Sequence, residues 1–281
     1  MIRRLIKKYR SRIRKRGLSS DVREYKFSNG TSEEESTSSL VPSDYIWLYP
    51  ELQHHIEYHP AIKKWIDNGY QRFPAELIQQ IHKDIYQFPI LSQDCVNKWQ
   101  RELIHFRRWR ELHDVDVMVP NSMNNYGVIL SDLGAEKPFL QLMKEVISPI
   151  SMHVFSDVIN EPLTKIHPFV VEYGNHSDRD LGFHVDASDI TVNLCLGDEF
   201  LGSELYFEGR RCELHRQGPS LEQEKFYYAH IPHYAILHTG KHRHGTIAIE
   251  KGSRRNIILW CSMENSIDDS KCVHWCGEFL G

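Results

Sequence analysis

After residue 165 the chain breaks into seven short β-rich runs: PFVVEY, DITVNLCL, ELYFE, KFYYAH, YAILHT, GTIAIE and RNIILWC. Their β-branched and aromatic residues suit a pleated, half-buried surface, and Gly218-Pro219, Pro232 and Gly252 interrupt the sequence between several of them. So many strands in about a hundred residues predict a sandwich or a jelly-roll barrel. DITVNLCL adds a direction. Ile190, Val192, Leu194 and Leu196 alternate with Thr191, Asn193 and Cys195, so one face is apolar and the other largely polar. Such a strand fits a barrel with a wet interior and an outer surface covered by helices.

The covering helices are sought between residues 51 and 160. In PAELIQQIHKDIYQF, Pro74 suits a first helical position and Leu77, Ile78, Ile81 and Ile85 make one stripe. In QDCVNKWQRELIHFRRWRELHD, Val96, Trp99, Leu103, Phe106 and Trp109 recur every three or four residues. Phe139, Leu142, Met143, Val146 and Ile150 make a third stripe after Pro138. All three are expected to face a core. Residues 17–44, rich in Ser, Thr and Glu (TSEEESTSS), read as a linker, with order beginning near Tyr45.

No run approaches 18 apolar residues, so no membrane-spanning helix is expected. Nine of the 34 Lys/Arg lie in residues 1–16 without an acid, leaving 25 against 38 Asp/Glu in the remainder. An acidic body argues against a nucleic-acid-binding core, while the basic tail could touch nucleic acid or a membrane surface. That tail, MIRRLIKKYRSRIRKRG, fits a solvated arm, a nuclear address or a mitochondrial presequence. Six scattered cysteines are too few for a disulfide scaffold, so a reduced cytoplasmic or nuclear setting is the default. Cys272-x3-Cys276 with His274 hints at zinc, but further ligands are not evident in the sequence.

The chemistry centres on His184-Val185-Asp186. On a strand, residues two apart share a face, so an imidazole and a carboxylate are presented together. A third ligand could come from HTGKHRHGTIAIEKGSRRN, which holds His238, His242 and His244. Two His and one Asp on one face of a metal leave three positions open, as in non-haem Fe(II) oxygenases. A 2-oxo acid could chelate iron there, and a carboxylate at its far end would need a fixed cation. Arg254 is a candidate, because a guanidinium binds carboxylate bidentately and keeps its charge. Alternation sends the neighbouring Arg255 to the opposite face. The expected geometry is a hairpin, GTIAIE and RNIILW joined by a turn at EKGS, bringing Arg254 into the cavity that His244 lines.

An H-x-D, a His sixty residues on and a Gly-x-Arg with its Arg ten residues further resemble the prolyl/lysyl-hydroxylase branch of the 2-oxoglutarate-dependent oxygenases. FVVEYGNHSDRDLGFHVDASDITVNLCL is similar to the corresponding segment of procollagen lysyl hydroxylases. MNNYGVILSDLG, HVDASDITVNLCLG, GSELYF and KCVHWC resemble segments of the 2-oxoglutarate and iron-dependent oxygenase domain-containing proteins. The likeness runs well over 119–264 and loosely over 45–118.

The resemblance implies His184, Asp186 and His244 as Fe(II) ligands. It implies Arg254 and Tyr173 on the C5 carboxylate of 2-oxoglutarate, and Asn193 beside that cosubstrate. His242 is then expected to be a solvent-facing neighbour, Trp260 an inward-packed aromatic or a ligand contact, and Asp189 a cap or ion-pair partner without a catalytic part. Ser203 departs from the family, where a second Gly is usual. The implied fold is α+β, mainly β: a double-stranded β-helix (jelly-roll) barrel with a flanking N-terminal helical region. The expected divisions are a tail and linker at 1–44, the helical region at 45–118, the dioxygenase domain at 119–264 and a C-terminal tail at 265–281. The implied activity uses Fe(II), 2-oxoglutarate and O2, with ascorbate as reductant, to hydroxylate an unactivated C–H bond, as on a protein lysine or proline. The alternative from another class is a non-catalytic metal-binding barrel that serves as an interaction module.

Overall fold

The computed structural model describes residues 28–29, 44–71, 73–197, 199–266 and 276. The basic run 1–16, most of the linker and the Cys272–His274 part of the tail lie outside them. The helices are α1 (Pro60–Asp67), α2 (Gln93–His113), α3 (Glu136–Leu142) and α4 (Ser148–Val154), the last two joined by a π-helical turn at Met143–Ile147. The strands are β1 (Ser28–Asn29), β2 (Gln79–His82), β3 (Ile85–Pro89), β4 (Gly127–Ile129), β5 (Lys165–Gly174), β6 (Leu181–His184) and β7 (Ile190–Cys195). They continue with β8 (Phe200–Gly202), β9 (Leu205–Arg210), β10 (Lys225–Tyr228), β11 (Tyr234–Thr239), β12 (His242–Thr246) and β13 (Ile249–Ser262).

Two antiparallel sheets form. The larger has the order β1-β5-β13-β7-β11-β3-β2, with β4 added beside β5 and β8 beside β13. The smaller has the order β10-β9-β12-β6. Residues of both line one cavity between them, so the strands make a jelly-roll barrel, as expected.

The helices cover the outer face of the larger sheet. Ser92 caps α2 by accepting from the Cys95 amide at 3.1 Å. Val96, Trp99, Leu103 and Phe106 are buried in one cluster with Ile190, Val192, Leu194, Ile257 and Leu259 from the sheet, and Trp109 packs at its edge. Phe139, Leu142, Met143, Val146 and Ile150 join the same cluster. Two of the three stripes therefore face the core from helices, and DITVNLCL turns its aliphatic side to them.

The remaining stripe is a correction. Residues 74–88 are not helical: β2 and β3 form a hairpin across Lys83-Asp84, with Asp84 in the left-handed region at φ 60°. The i, i+4 pair Ile81/Ile85 imitates a helical stripe, but the two residues flank this turn and pack together under Phe207 and Ile236. β3 is claimed by β11, to which it pairs over five residues. Tertiary pairing outweighs local periodicity here.

A second correction concerns GTIAIE. It is not one strand. β12 ends at Thr246 in the smaller sheet, and β13 starts at Ile249 and runs 14 residues through the larger. EKGS is therefore inside a strand instead of a hairpin turn, and His244 and Arg254 lie on opposite sheets.

Candidate active site

His184 and His244 stand directly opposite each other in the β6–β12 ladder. Their ring centroids are 4.3 Å apart. Asp186 lies two residues beyond the end of β6, where its amide donates to the Gly240 carbonyl at 2.9 Å. That bond turns the carboxylate inward, with Oδ1 3.4 Å from His184 Nε2 and Oδ2 3.7 Å from His244 Nε2. All three side chains are buried, and their ligand atoms lie within 4.8 Å of one another.

The surroundings fix which atoms converge. His184 Nδ1 contacts the Gly182 carbonyl at 2.7 Å, and His244 Nδ1 contacts that of His242 at 2.8 Å. A carbonyl only accepts, so each Nδ1 carries the proton and each Nε2 presents a lone pair to the shared space. Asp186 Oδ2 accepts from Thr191 Oγ1 at 2.6 Å, and Thr191 is backed by Ser188 at 2.9 Å. Burial pushes the Asp186 carboxyl up, but His244 and His184 outweigh it and hold the group well below the usual carboxylate range. Burial brings His244 down to about 3, against the pull of Asp186. At His184 burial is outweighed by Asp186, and the imidazole is raised. Two neutral imidazoles and one carboxylate with clustered lone pairs are the donor set of a facial divalent-iron site.

Across the cavity stands Arg254 on β13, paired in register with Tyr173 on β5. The guanidinium lies 4.4 Å over the Tyr173 ring. Its Nε donates to Ser203 Oγ at 3.1 Å, and Nη1 bonds to His230 Nε2. Nη2 is buried with no hydrogen-bond partner among the described residues. An unpaired buried donor on a permanent cation is costly unless an anion meets it. Arg254 lines the same cavity as the three metal-ligand candidates, so the cavity offers a cluster of lone pairs on one wall and a guanidinium on the other.

Tyr173 is buried beneath that guanidinium, its hydroxyl accepting from Asn124 Nδ2 at 3.2 Å. Asn193 lines the cavity and its amide is hydrogen-bonded to that of Asn256. Trp260 packs inward, edge-on to Phe169 at 5.1 Å. Arg255 faces away, with Nε 3.6 Å from Glu172, as alternation requires. Asp189 is a cap, accepting from the Met263 amide at 2.8 Å and from Ser266 Oγ at 2.7 Å. His242 corrects the expectation of a solvent-facing neighbour. It is buried against Phe207, ring centroids 5.0 Å apart, because every residue of β12 is buried. His238 is buried too, its Nδ1 turned to the Thr239 carbonyl.

Several contributors take on a role only in the folded chain. His230 lies in the segment that follows β10. Burial first, then the charge of Arg254, lowers its pKa well below the usual range, so it meets the guanidinium as a neutral acceptor. Asp178 gathers the cavity-lining 121–126 loop, accepting from the Asn125 amide at 2.8 Å and from Asn125 Nδ2 at 3.0 Å. Ser203 holds a left-handed backbone at φ 65° while bonding Arg254. Gly252, at φ 78°, sits where a Cβ would overlap the Glu199 carbonyl oxygen. Only the Gly-x-Arg spacing pointed to it.

Comparison with known proteins agrees with this geometry. A family model described as the OGFOD2-like domain matches residues 41–160. This chain carries an OGFOD2-like domain. The chain is 40% identical over 224 residues to the Arabidopsis thaliana 2-oxoglutarate and iron-dependent oxygenase domain-containing protein CP2, covering 78% of this chain and 57% of that one. It is 32% identical over 238 residues to domain-containing protein 2 of the same description from Xenopus tropicalis, covering 82% and 65%. It is 25% identical over 198 residues to mouse procollagen-lysine,2-oxoglutarate 5-dioxygenase 2, covering 68% and 25%. The chain thus spans between half and two thirds of the length of the first two relatives. The oxygenase-type cavity lies mostly C-terminal to the OGFOD2-like match, in strands β5 to β13. Trp99 and Phe139 of the matched segment pack against the outer face of those strands.

Proposed function

We propose that this chain is an Fe(II)- and 2-oxoglutarate-dependent dioxygenase that hydroxylates an unactivated C–H bond. The observation that carries it is the pairing of a buried His184–Asp186–His244 cluster with the unsatisfied Nη2 of Arg254 in one cavity. His184, Asp186 and His244 would hold the iron through Nε2, carboxylate and Nε2. With 2-oxoglutarate and O2, iron at such a site supplies an oxidant able to hydroxylate carbon while the cosubstrate becomes succinate and CO2.

The chain's own residues do the positioning. The Gly182 and His242 carbonyls hold both imidazoles in the metal-binding tautomer. Thr191 steadies the carboxylate of Asp186. Arg254 takes the C5 carboxylate through Nη2, while Ser203 and neutral His230 occupy its other donors and fix its direction. Tyr173 supports the guanidinium from below, and Asn193 borders the cosubstrate on the polar face of β7. Ascorbate as the reductant that restores the iron is carried over from the resemblance. The substrate class is a protein side chain: lysine is supported by the printed name of the procollagen-lysine relative, and proline is carried over from the resemblance alone.

The test is succinate release from 2-oxoglutarate by the purified chain with Fe(II) and ascorbate. Uncoupled turnover is expected even without a prime substrate. His184→Ala, Asp186→Ala and His244→Ala should each abolish it. A triple variant that releases succinate at the wild-type rate removes the reading.

A further inference from the structure

Away from the cavity, one residue of the C-terminal tail meets the loop that follows β9. Cys212 precedes and His215 ends a single 3-10 turn, and a spacing of three residues stacks their side chains on one edge of it. Cys276, 64 residues further along the chain, reaches the same edge. His215 Nδ1 lies 3.2 Å from Cys212 Sγ and 3.4 Å from Cys276 Sγ. The Cys212 amide points at Cys276 Sγ from 3.5 Å. The two sulfurs and the imidazole nitrogen all fall within 4.8 Å of one another, with both cysteines buried.

These separations match a metal knuckle. Zinc held at about 2.3 Å by sulfur and about 2.0 Å by nitrogen in a tetrahedron sets neighbouring S and N roughly 3.5 Å apart. Two sulfurs sharing one imidazole nitrogen are arranged around a common centre, whereas a disulfide would need only the sulfurs.

We propose that Cys212, His215 and Cys276 bind a zinc ion that fastens residue 276 of the tail to the β9–β10 loop. Soft thiolates with one imidazole select zinc over the harder cations that suit the His184–Asp186–His244 site. No fourth His, Cys, Asp or Glu joins the three among the described residues, so the fourth position falls to water or to a donor outside them. The knuckle borders the ladder that carries the oxygenase site. β9 ends at Arg210, which is opposite His242, two residues before His244. Zinc here closes a long loop onto that ladder and adds its binding energy to folding.

The test uses the full chain purified under reducing conditions. One tightly held zinc per chain is expected by elemental analysis, and it should persist in Asp186→Ala. Cys212→Ser and Cys276→Ser should each lose it. Replacing zinc with Co(II) should give a thiolate-to-Co(II) charge-transfer band in the near ultraviolet. The oxygenase cluster has no sulfur, so that band must survive in His244→Ala and vanish in Cys212→Ser. Should the cysteine variants fail to fold, His215→Gln decides: a shifted or weakened band supports the site and an unchanged one overturns it. Protein that holds no zinc and shows no band with Co(II), or that carries a Cys212–Cys276 disulfide under reducing conditions, also overturns it.

Discussion

Ser203 Oγ accepts from Arg254 Nε at 3.1 Å, and it does so from a backbone whose φ of 65° favours glycine. Where a glycine would be relaxed, this chain places a fully buried hydroxyl against the cation that faces the cavity. A non-glycine residue in the left-handed region costs about 1–2 kcal/mol, so the hydroxyl sits at a position where local conformation opposes it. Ser203→Gly should therefore separate stability from binding. The melting temperature is expected to stay level or rise, while KM for 2-oxoglutarate rises several-fold and kcat stays within about twofold. Thermal melts and steady-state kinetics on the same preparation check both halves.

The two adjacent arginines should behave very differently. Arg254 offers an unpaired Nη2 to the cavity, whereas Arg255 is drawn outward to Glu172. Losing a charge-assisted contact costs about 2–3 kcal/mol, so Arg254→Ala should raise KM for 2-oxoglutarate by roughly a hundredfold. Arg255→Ala should change it less than about threefold. Equal effects from the two would mean the cosubstrate does not bind through this guanidinium.

Thr191 tests the support beneath the metal ligands. Its hydroxyl is bonded to Asp186 Oδ2 at 2.6 Å. Thr191→Val keeps the shape and removes the bond, leaving one carboxylate oxygen without its partner. Metal affinity, read by Mn(II) titration with fluorescence or electron paramagnetic resonance, is expected to fall about 10–100-fold. Unchanged affinity would show that the Gly240 anchor alone holds Asp186 in place.

On the helical side, Trp99 is fully buried between the sheet and Phe139, whose ring centroid is 5.2 Å away. Trp99→Ala should cost about 3–5 kcal/mol in urea unfolding, since transfer and cavity terms add. The indole N–H has no hydrogen-bond partner among the described residues, so Trp99→Phe should cost much less. Leu112, on the same helix but 81% exposed, should tolerate Ser within about half a kcal/mol.

Much of the barrel and its cavity is readable before any coordinates, because strand alternation has a period that burial enforces residue by residue. DITVNLCL shows its two faces in the letters alone, and His184, Asp186, His244 and Arg254 line one cavity, although Arg254 reaches it from the larger sheet and not through the expected hairpin. What is hidden depends on pairings between distant segments. The β2–β3 hairpin looks helical because Ile81 and Ile85 happen to straddle a two-residue turn. Glu102 on α2 carries no mark of its burial in the sequence, yet it is fully buried and takes the Tyr45 hydroxyl and the Tyr49 amide. His230 gains meaning only once its segment folds back over Arg254. The contact of Cys212 with Cys276 joins places that no local pattern connects.

Gly252 settles a choice made two positions later. With no space for a side chain beside the Glu199 carbonyl, this point of the 14-residue strand from Ile249 to Ser262 can seat only one residue type. Sliding that strand by a single position would turn every side chain over and send the other arginine inward. The glycine thus acts as a frame marker: it decides which of two chemically identical neighbours greets the diacid and which is left to greet Glu172. Deleting Ser253 would carry Arg255 into the inward slot opposite Tyr173 and turn Arg254 to the other face, without altering either arginine.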